Sequence, residues 1–305
     1  MLSIPLEKPT KHTTKRSIRI SIALLCSVWA LNFSCTSEAA KLEPYARISG
    51  VGIRECSGIA KSRQTNDIYW VHNDSSSGSR IFAILKDGSL VAAFPTGLTN
   101  IDWEDVATDN SGNLYLGDFG NFLNTRRDLA IHFLKEPLKP KVGARIKGTT
   151  YRFEYPEQTE FPPRRRIYDC EAIFWAQEEL FVLTKSLGDT ATRLYCFESL
   201  RSDEINRPKL VGEFDIGPRV TGADATPDGQ RLAVLTTSSV WVFERPENSH
   251  NYLEGIATTL RISAGQCEAI CWDDQETLII ANEDRHCSRS RWLTSSTTKN
   301  GPASR

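Results

Sequence analysis

Three glutamates stand at matching positions in similar segments of the chain. The tetrapeptide Cys-Glu-Ala-Ile occurs around Glu171 and again around Glu268, and Glu104 has the corresponding position in Asp-Trp-Glu-Asp. Carboxylate and amide oxygens are the ligands that hard cations such as Ca²⁺ prefer. The chain has no CxxC pair and no His-rich tract of the kind that binds structural zinc. If the fold gathers these glutamates, they could hold a divalent cation or a polar ligand.

The glutamates belong to an internal repeat. Each copy has a short run, a turn rich in Asn, Asp, Gly or Pro, and an apolar run; two weaker strand-like runs follow in the first four copies. Four antiparallel strands in a period of about 40–50 residues are typical of one blade of a β-propeller. Five copies are present, and they begin at Glu55, Asp102, Asp169, Thr221 and Gln266.

We predict an all-β fold, a β-propeller of five four-stranded blades, with room for a degenerate sixth blade between Asn121 and Tyr168. The last copy lacks its outer strands, whereas the strand-like run Tyr45–Ser49 precedes the first copy without a blade of its own. Pairing of this N-terminal strand with the last blade would close the ring and leave no sheet edge exposed. A β-sandwich is the alternative, but sandwiches do not repeat a four-stranded unit.

This blade geometry predicts where the polar residues meet. The first run of each copy should be the innermost strand and the second its antiparallel partner, so the start of one lies beside the end of the other at one channel mouth. In the copies without glutamate, Ser57 and Ala223 take its position. The candidate metal ligands at this mouth are Glu104, Glu171, Glu268, Asp118, Asn73 and Asn282. The candidate ligand-binding residues are His72, Asp74, Asp105, Lys185, Asp224 and Glu283.

Two interpretations of this polar mouth stay open. In the structural one, the carboxylates cap N–H groups or join neighbouring blades. In the functional one, they form a pocket for a polar ligand or a hard cation, with Ca²⁺ as the candidate cofactor. Carboxylates this close raise one another's pKa unless a cation or Lys185 compensates. Because repetition alone would place a carboxylate in every blade, the differences between copies favour the functional interpretation.

Five segments carry a resemblance to a known family: Ser57–Ser75, Asp102–Asn121, Asp169–Ser186, Val220–Gly229 and Gln266–Ile270. They resemble uncharacterised secreted bacterial β-propeller proteins, which are described by similarity to WD40-like, phytase-like or gluconolactonase-like propellers. The resemblance extends to about Asp284 and implies the fold but no settled activity.

The relatives within that family imply two metal chemistries. A gluconolactonase-like site would place the candidate metal ligands named above around a divalent metal that polarises an ester carbonyl. A phytase-like site would use Ca²⁺ ions to bridge carboxylates and a phosphate ester, normally with more basic residues than Lys185 alone. A propeller that only binds a glycan or a protein partner is the non-catalytic alternative.

The two ends of the chain differ from the repeats. The basic segment Lys11–Arg19 and the apolar run Ile20–Phe33 predict a signal peptide or N-terminal membrane anchor over residues 1–40, with lipidation at Cys35 as a further form of anchor. The propeller is predicted over 41–290 and a polar tail over 291–305. We therefore expect an exported protein, periplasmic or extracellular, that contacts a membrane only through this N-terminal anchor.

The composition argues against one class of partner, the nucleic acids. The 305 residues carry a formal net charge of −1, so no basic surface is expected to displace counterions from a nucleic acid. We predict a binding module for a small polar ligand, a glycan or a protein partner, with a metal-binding axial pocket. The alternative is a metal-dependent hydrolase, lactonase-like or phosphoesterase-like. No nucleophile–base pair is visible, so catalysis and catalytic residues are left open.

Overall fold

The structure is a computed structural model that describes residues 39–292 except 76–77, 138, 140, 142 and 218. The predicted signal or anchor segment (1–40) and the predicted tail (291–305) therefore lie almost wholly outside the described residues, as does Cys35. In the described part, no helix is long and apolar enough to cross a membrane. A short 3-10 helix, Tyr252–Glu254, lies there among the strands.

The described strands form five sheets, named blades 1 to 5. Two short strands, β1 (Ala40–Lys41) and β2 (Pro44–Arg47), come first in the chain. Blade 1 contains β3 (Gly58–Lys61), β4 (Ile68–His72), β5 (Arg80–Leu85) and β6 (Leu90–Pro95). Blade 2 contains β7 (Trp103–Thr108), β8 (Asn113–Asp118), β9 (Ala130–Lys135) and β10 (Gly148–Arg152). Blade 3 contains β11 (Asp169–Ala176), β12 (Glu179–Lys185), β13 (Ala191–Phe197) and β14 (Lys209–Asp215).

The remaining two blades close the ring. Blade 4 contains β15 (Val220–Ala225), β16 (Arg231–Thr236), β17 (Ser239–Glu244) and β18 (Ala257–Ser263), and β1 adds to β18 in parallel. Blade 5 contains β19 (Cys267–Trp272), β20 (Thr277–Asn282) and β21 (His286–Arg291), and β2 is its fourth strand, antiparallel to β21. The predicted closure by an N-terminal strand is confirmed. The segment between Asn121 and Tyr168 supplies β9 and β10 of blade 2 in place of a sixth blade.

The first strands of the five blades line the axis. Strands β3, β7, β11, β15 and β19 contact one another in that order, and β19 contacts β3 again. All eight residues of β11 are buried, as expected for a strand covered on both faces. Alternation sends Ile173 towards blade 2 and Phe174 towards blade 4. The described core comprises five such apolar clusters, one between each pair of neighbouring blades.

The six described cysteines belong to these clusters. All are buried free thiols, and burial raises the pKa of each, for example that of Cys287 to about 12. Cys56, Cys271 and Cys287 pack between blades 5 and 1, and Cys170 packs between blades 2 and 3. Cys170 and Cys267, which precede two of the repeated glutamates, are therefore packing residues, as is Cys56.

Candidate axial binding site

A shift in strand pairing places the repeated glutamates. In four blades the pairing between the first and second strands skips one residue of the first strand, as in a β-bulge; these residues are Glu104, Glu171, Thr221 and Glu268. A bulge leaves its extra residue out of the ladder and re-aims its side chain. All four line one cavity of about 230 Å³ at a mouth of the channel. The repeated glutamate is thus a repeated bulge.

Blade 4 corrects the predicted alignment. Ala223, the expected counterpart of the glutamates, pairs with Val234 inside the sheet, and Thr221 lines the cavity instead. The cause is the turn, because blade 3 joins its first two strands by the two residues Gln177 and Glu178, whereas the β15–β16 connection is longer. An alignment based on the second strand therefore misplaces the first strand of blade 4 by two residues.

The cavity is strongly acidic. Six of its lining side chains are carboxylates and one is a lysine, Lys185; the carboxylates are Glu55, Asp74, Glu104, Glu171, Glu268 and Glu283. Six of these seven side chains were candidates from the sequence, and the structure brings them together at one mouth. What they bind stays a prediction. Glu55 was not predicted, nor were the lining residues Thr221, Gln266 and Phe122, whereas Ser57 lines the cavity at the position expected for blade 1.

Glu171 and Lys185 form an ion pair on the blade 3 side of the cavity. Nζ of Lys185 lies 3.0 Å from Oε1 of Glu171, and the two side chains are 19% and 7% exposed. Burial raises the pKa of Glu171 well above its ordinary value, Asp169 raises it further, and Lys185 opposes both. Burial lowers the pKa of Lys185, but the carboxylates of Glu171, Asp169 and Glu104 outweigh burial and raise it. Both groups of this ion pair therefore have shifted pKa values and little contact with solvent.

A second group of carboxylates lies towards blades 1 and 2. One carboxylate oxygen each from Asp74, Asp102 and Glu104 fall within 4.8 Å of one another. Burial, followed by the charge of Asp74, raises the pKa of Asp102 to about 6. Burial also raises the pKa of Glu104 well above its ordinary value, and Glu171 and Asp102 add to this. These three oxygens are close enough to share one cation.

Gly120 and Asp169 border that group. A Cβ atom on Gly120 would collide with the carboxylate oxygens of Asp102 and Glu104, so only glycine lets both lie against the backbone. Oδ1 of Asp169 accepts the Asn121 N–H (2.7 Å), whereas its buried Oδ2 has no hydrogen-bond partner among the described residues. The sequence offers a signal for Asp102 and Asp169, because each is the first residue of its repeat copy.

Three predicted metal ligands brace loops at the rim instead of lining the cavity. Asn73 bonds backbone groups of the segment before β3, with Oδ1 accepting the Arg54 N–H at 2.9 Å. Asn282 donates to the carbonyl of Ala264, before β19, and accepts the N–H of His286, at the start of β21. Asp118 accepts the N–H groups of Ile101 and Asp102. Its Oδ1 also forms an ion pair with the guanidinium of Arg126, 3.0 Å away. Their polar atoms are already engaged within the protein.

His72 lies behind the mouth and is fully buried. Its Nδ1 is 3.0 Å from the carbonyl oxygen of Asn73, and its ring meets the edge of Trp103. Burial lowers the pKa of His72 to about 4, so the imidazole is neutral near pH 7. His72 does not line the cavity as predicted; its ring packs against Gly58 instead.

Asp105 and Asp224 lie deeper along the axis than predicted. Asp105 is fully buried and accepts the N–H groups of Val106 in its own blade, Ile173 in blade 3 and Ala223 in blade 4, at 2.8, 3.0 and 3.4 Å. Asp224 lies at the opposite mouth, where Oδ2 accepts the Trp272 N–H at 2.8 Å. Burial raises the pKa of Asp224 to about 6, although the nearby guanidinium of Arg63 opposes this rise.

Arg63 crosses that opposite mouth. Its guanidinium donates to Asn110 in blade 2 and to the carbonyl of Ala225 in blade 4, at 3.0 and 3.2 Å, and it lies over the ring of Trp175 in blade 3. Since Asp105 spans the middle of the channel and Arg63 spans its far end, the acidic cavity is a pocket with one opening.

Comparisons with known proteins add little to this geometry. No protein-family model and no curated protein matches the chain. Among solved structures it is similar to the β-propeller domain of Cps50 (Swd1) from Myceliophteria thermophila, with 11% identity over 78% of this chain and 84% of that chain and a TM-score of 0.41. It is also similar to a chain of the Mitotic Checkpoint Complex, with 12% identity over 88% and 68% of the two chains and a TM-score of 0.39. The blade arrangement itself establishes the β-propeller fold.

Proposed function

We propose that the protein is a binding module whose axial pocket holds a divalent cation, with Ca²⁺ as the candidate, next to a polar ligand or partner. The observation that carries this is the group of carboxylate oxygens from Asp74, Asp102 and Glu104 within 4.8 Å of one another. Oxygen ligands without thiols suit a hard cation. Of the six metal ligands expected from the sequence, only Glu104 belongs to this group.

The surroundings of the group fit a cation. Burial destabilises the ionised forms of Asp102 and Glu104, and a bound cation would offset that cost. The free Oδ2 of Asp169 adds negative charge behind them. Ca²⁺ takes about six to eight oxygen ligands, so water or a ligand would complete its shell. The cavity of about 230 Å³ is smaller than the roughly 300–1,000 Å³ of drug-sized pockets, which leaves room for an ion and one side-chain-sized group.

Substituting Gly120→Ala should weaken Ca²⁺ binding at least tenfold without removing a charge. The added Cβ displaces the carboxylates of Asp102 and Glu104, whose flexible ends can move, so the fold should tolerate it. Asp102→Asn should weaken binding similarly by removing a ligand charge. Titration calorimetry with CaCl₂ on chelator-treated protein measures both, and Asp203→Asn, on an exposed outer loop, is the matched control. Absence of Ca²⁺ heat in the parent, with a melting temperature unaffected by EDTA, would contradict the proposal.

A metal-dependent hydrolase is the second candidate, favoured by the raised pKa of Glu171 beside the carboxylate group. A carboxyl whose pKa is raised by burial can act as a general acid or base at a leaving group, while a cation polarises the ester or phosphoryl oxygen. Glu171→Gln should then lower turnover of a lactone or phosphate ester by about 10²–10⁴-fold and leave Ca²⁺ binding intact. A screen of both substrate classes with and without EDTA tests this, and turnover that survives Glu171→Gln rules this role out.

We further propose that the module works after export, in the periplasm or outside the cell. The support is the basic segment Lys11–Arg19 followed by the apolar run Ile20–Phe33. The partner classes stay those expected from the sequence, which are a small polar ligand, a glycan or a protein.

A further inference from the structure

Exposed apolar side chains lie at one side of the acidic pocket. Phe122 lines the pocket and is 55% exposed, and its neighbour Leu123 is 54% exposed. Ile101, just before β7 and bonded through its N–H to Asp118 at the end of β8, is also exposed at the same end of the blades. Large exposed apolar side chains grouped around a polar cavity are typical of an interaction site.

The blade 5 side of the pocket carries carboxylates that form no ion pair with the described residues. Glu55, Glu268 and Glu283 line this side, and Glu283 accepts a hydrogen bond from Gln266 at 2.5 Å. Among the described residues, the ion pairs of the lining side chains are confined to Glu171 and Lys185. A positively charged group entering the pocket would find several carboxylates in partial burial, where electrostatic attraction is stronger than in water.

We propose that this face docks a protein segment that inserts one lysine or arginine side chain into the acidic pocket and packs apolar neighbours on Phe122 and Leu123. This rests on the proposed function, since both use the axial pocket, and it commits that function to a protein partner. A cavity of about 230 Å³ with one opening suits a single long side chain. Phe122 at the rim can contact the aliphatic stem or the cation itself.

Charge and apolar contact have separate tasks in this docking. The carboxylates speed encounter with a basic segment and reject acidic ones, an effect that salt weakens. Desolvated apolar contacts around a central buried anchor slow dissociation. A segment with a basic residue between apolar residues satisfies both, whereas a purely basic segment would leave Phe122 and Leu123 exposed.

The test uses short capped peptides with a central lysine flanked by leucines, labelled for fluorescence anisotropy, against the full chain. We expect saturable binding that weakens at least tenfold when the lysine is acetylated, when Phe122→Ser is introduced, or when NaCl is raised to high concentration. Ile256→Ser, which removes an exposed apolar side chain away from this mouth, is the matched control and should bind normally. Equal binding of the acetylated peptide, or indifference to Phe122→Ser, would overturn the inference.

Two further measurements separate the explanations. Ca²⁺ titration of the same preparation distinguishes the cation site from the docking site. If Ca²⁺ binds and the peptide does not, the docking inference is wrong and the proposed cation site stands. Sedimentation of the chain without peptide tests a second copy as the occupant of this face. A dimer that dissociates with Phe122→Ser and excludes the peptide would replace the proposed partner by self-association.

Discussion

Asp105→Ala is expected to lower the free energy of unfolding by about 2–6 kcal/mol, since the two buried N–H groups that donate at 2.8 and 3.0 Å lose their acceptor at about 1–3 kcal/mol each. Asp105 accepts N–H groups from blades 2, 3 and 4, so its loss leaves unsatisfied donors in three innermost strands. Urea unfolding followed by tryptophan fluorescence measures the effect. Asp203→Ala, on an exposed loop, should stay within about 0.5 kcal/mol of the parent.

The pH dependence gives Asp105 a second readout. Burial raises the pKa of Asp105 well above its ordinary value although its three N–H bonds oppose this. The folded state therefore binds the proton more tightly than the unfolded chain, and this contribution to stability is present below about pH 4 and is lost as pH rises towards the raised pKa. Asp105→Asn, an uncharged isostere, should cost less than alanine and should remove this contribution. An Asn variant with the parent's pH profile would contradict the assignment.

The fold could be predicted because the repeated strand pairs and the alternation of side chains along each strand both follow from how the blades pack. Each copy brings the same first two strands, and their opposite faces supply side chains to two different interfaces, as Ile173 and Phe174 do. Ring closure followed from counting strands, since Tyr45 and its neighbours had no other sheet to join. Blade number was harder, because the long segment between Asn121 and Tyr168 contains outer strands that repeat only weakly.

The site was predictable only where chemistry follows the repeat. Glu104, Glu171 and Glu268 were found because glutamate recurs at the bulge position in three of the four blades that have the bulge. Asn73 was assigned to the pocket by position alone, but a polar residue at a strand end is also the natural partner for loop N–H groups. Phe122 lies in a connection that no other copy shares, so no comparison between copies can reveal it.

The second large effect is expected at Lys185. Among the described residues that line the pocket, Lys185 carries the one ammonium; Lys185→Met removes it and leaves Glu171 buried without its partner. We expect a loss of about 3 kcal/mol at pH 7, the lower end of the range for breaking a buried ion pair, because the carboxyl can take up a proton. The double variant Glu171→Gln with Lys185→Met should recover most of this loss, since no isolated charge is left behind.

The sign of the pH effect decides whether Glu171 is ionised in the parent protein. Without Lys185 the pKa of Glu171 rises further, so the folded variant binds a proton that the unfolded chain releases near pH 4–5. The variant's deficit in unfolding free energy should therefore be large at pH 7 and shrink as pH falls towards 5. Urea unfolding at both pH values measures this. A deficit equal at the two pH values would mean that Glu171 is already protonated beside Lys185, and the ammonium would then be neutralised by Asp169 and Glu104, the other carboxylates that raise its pKa.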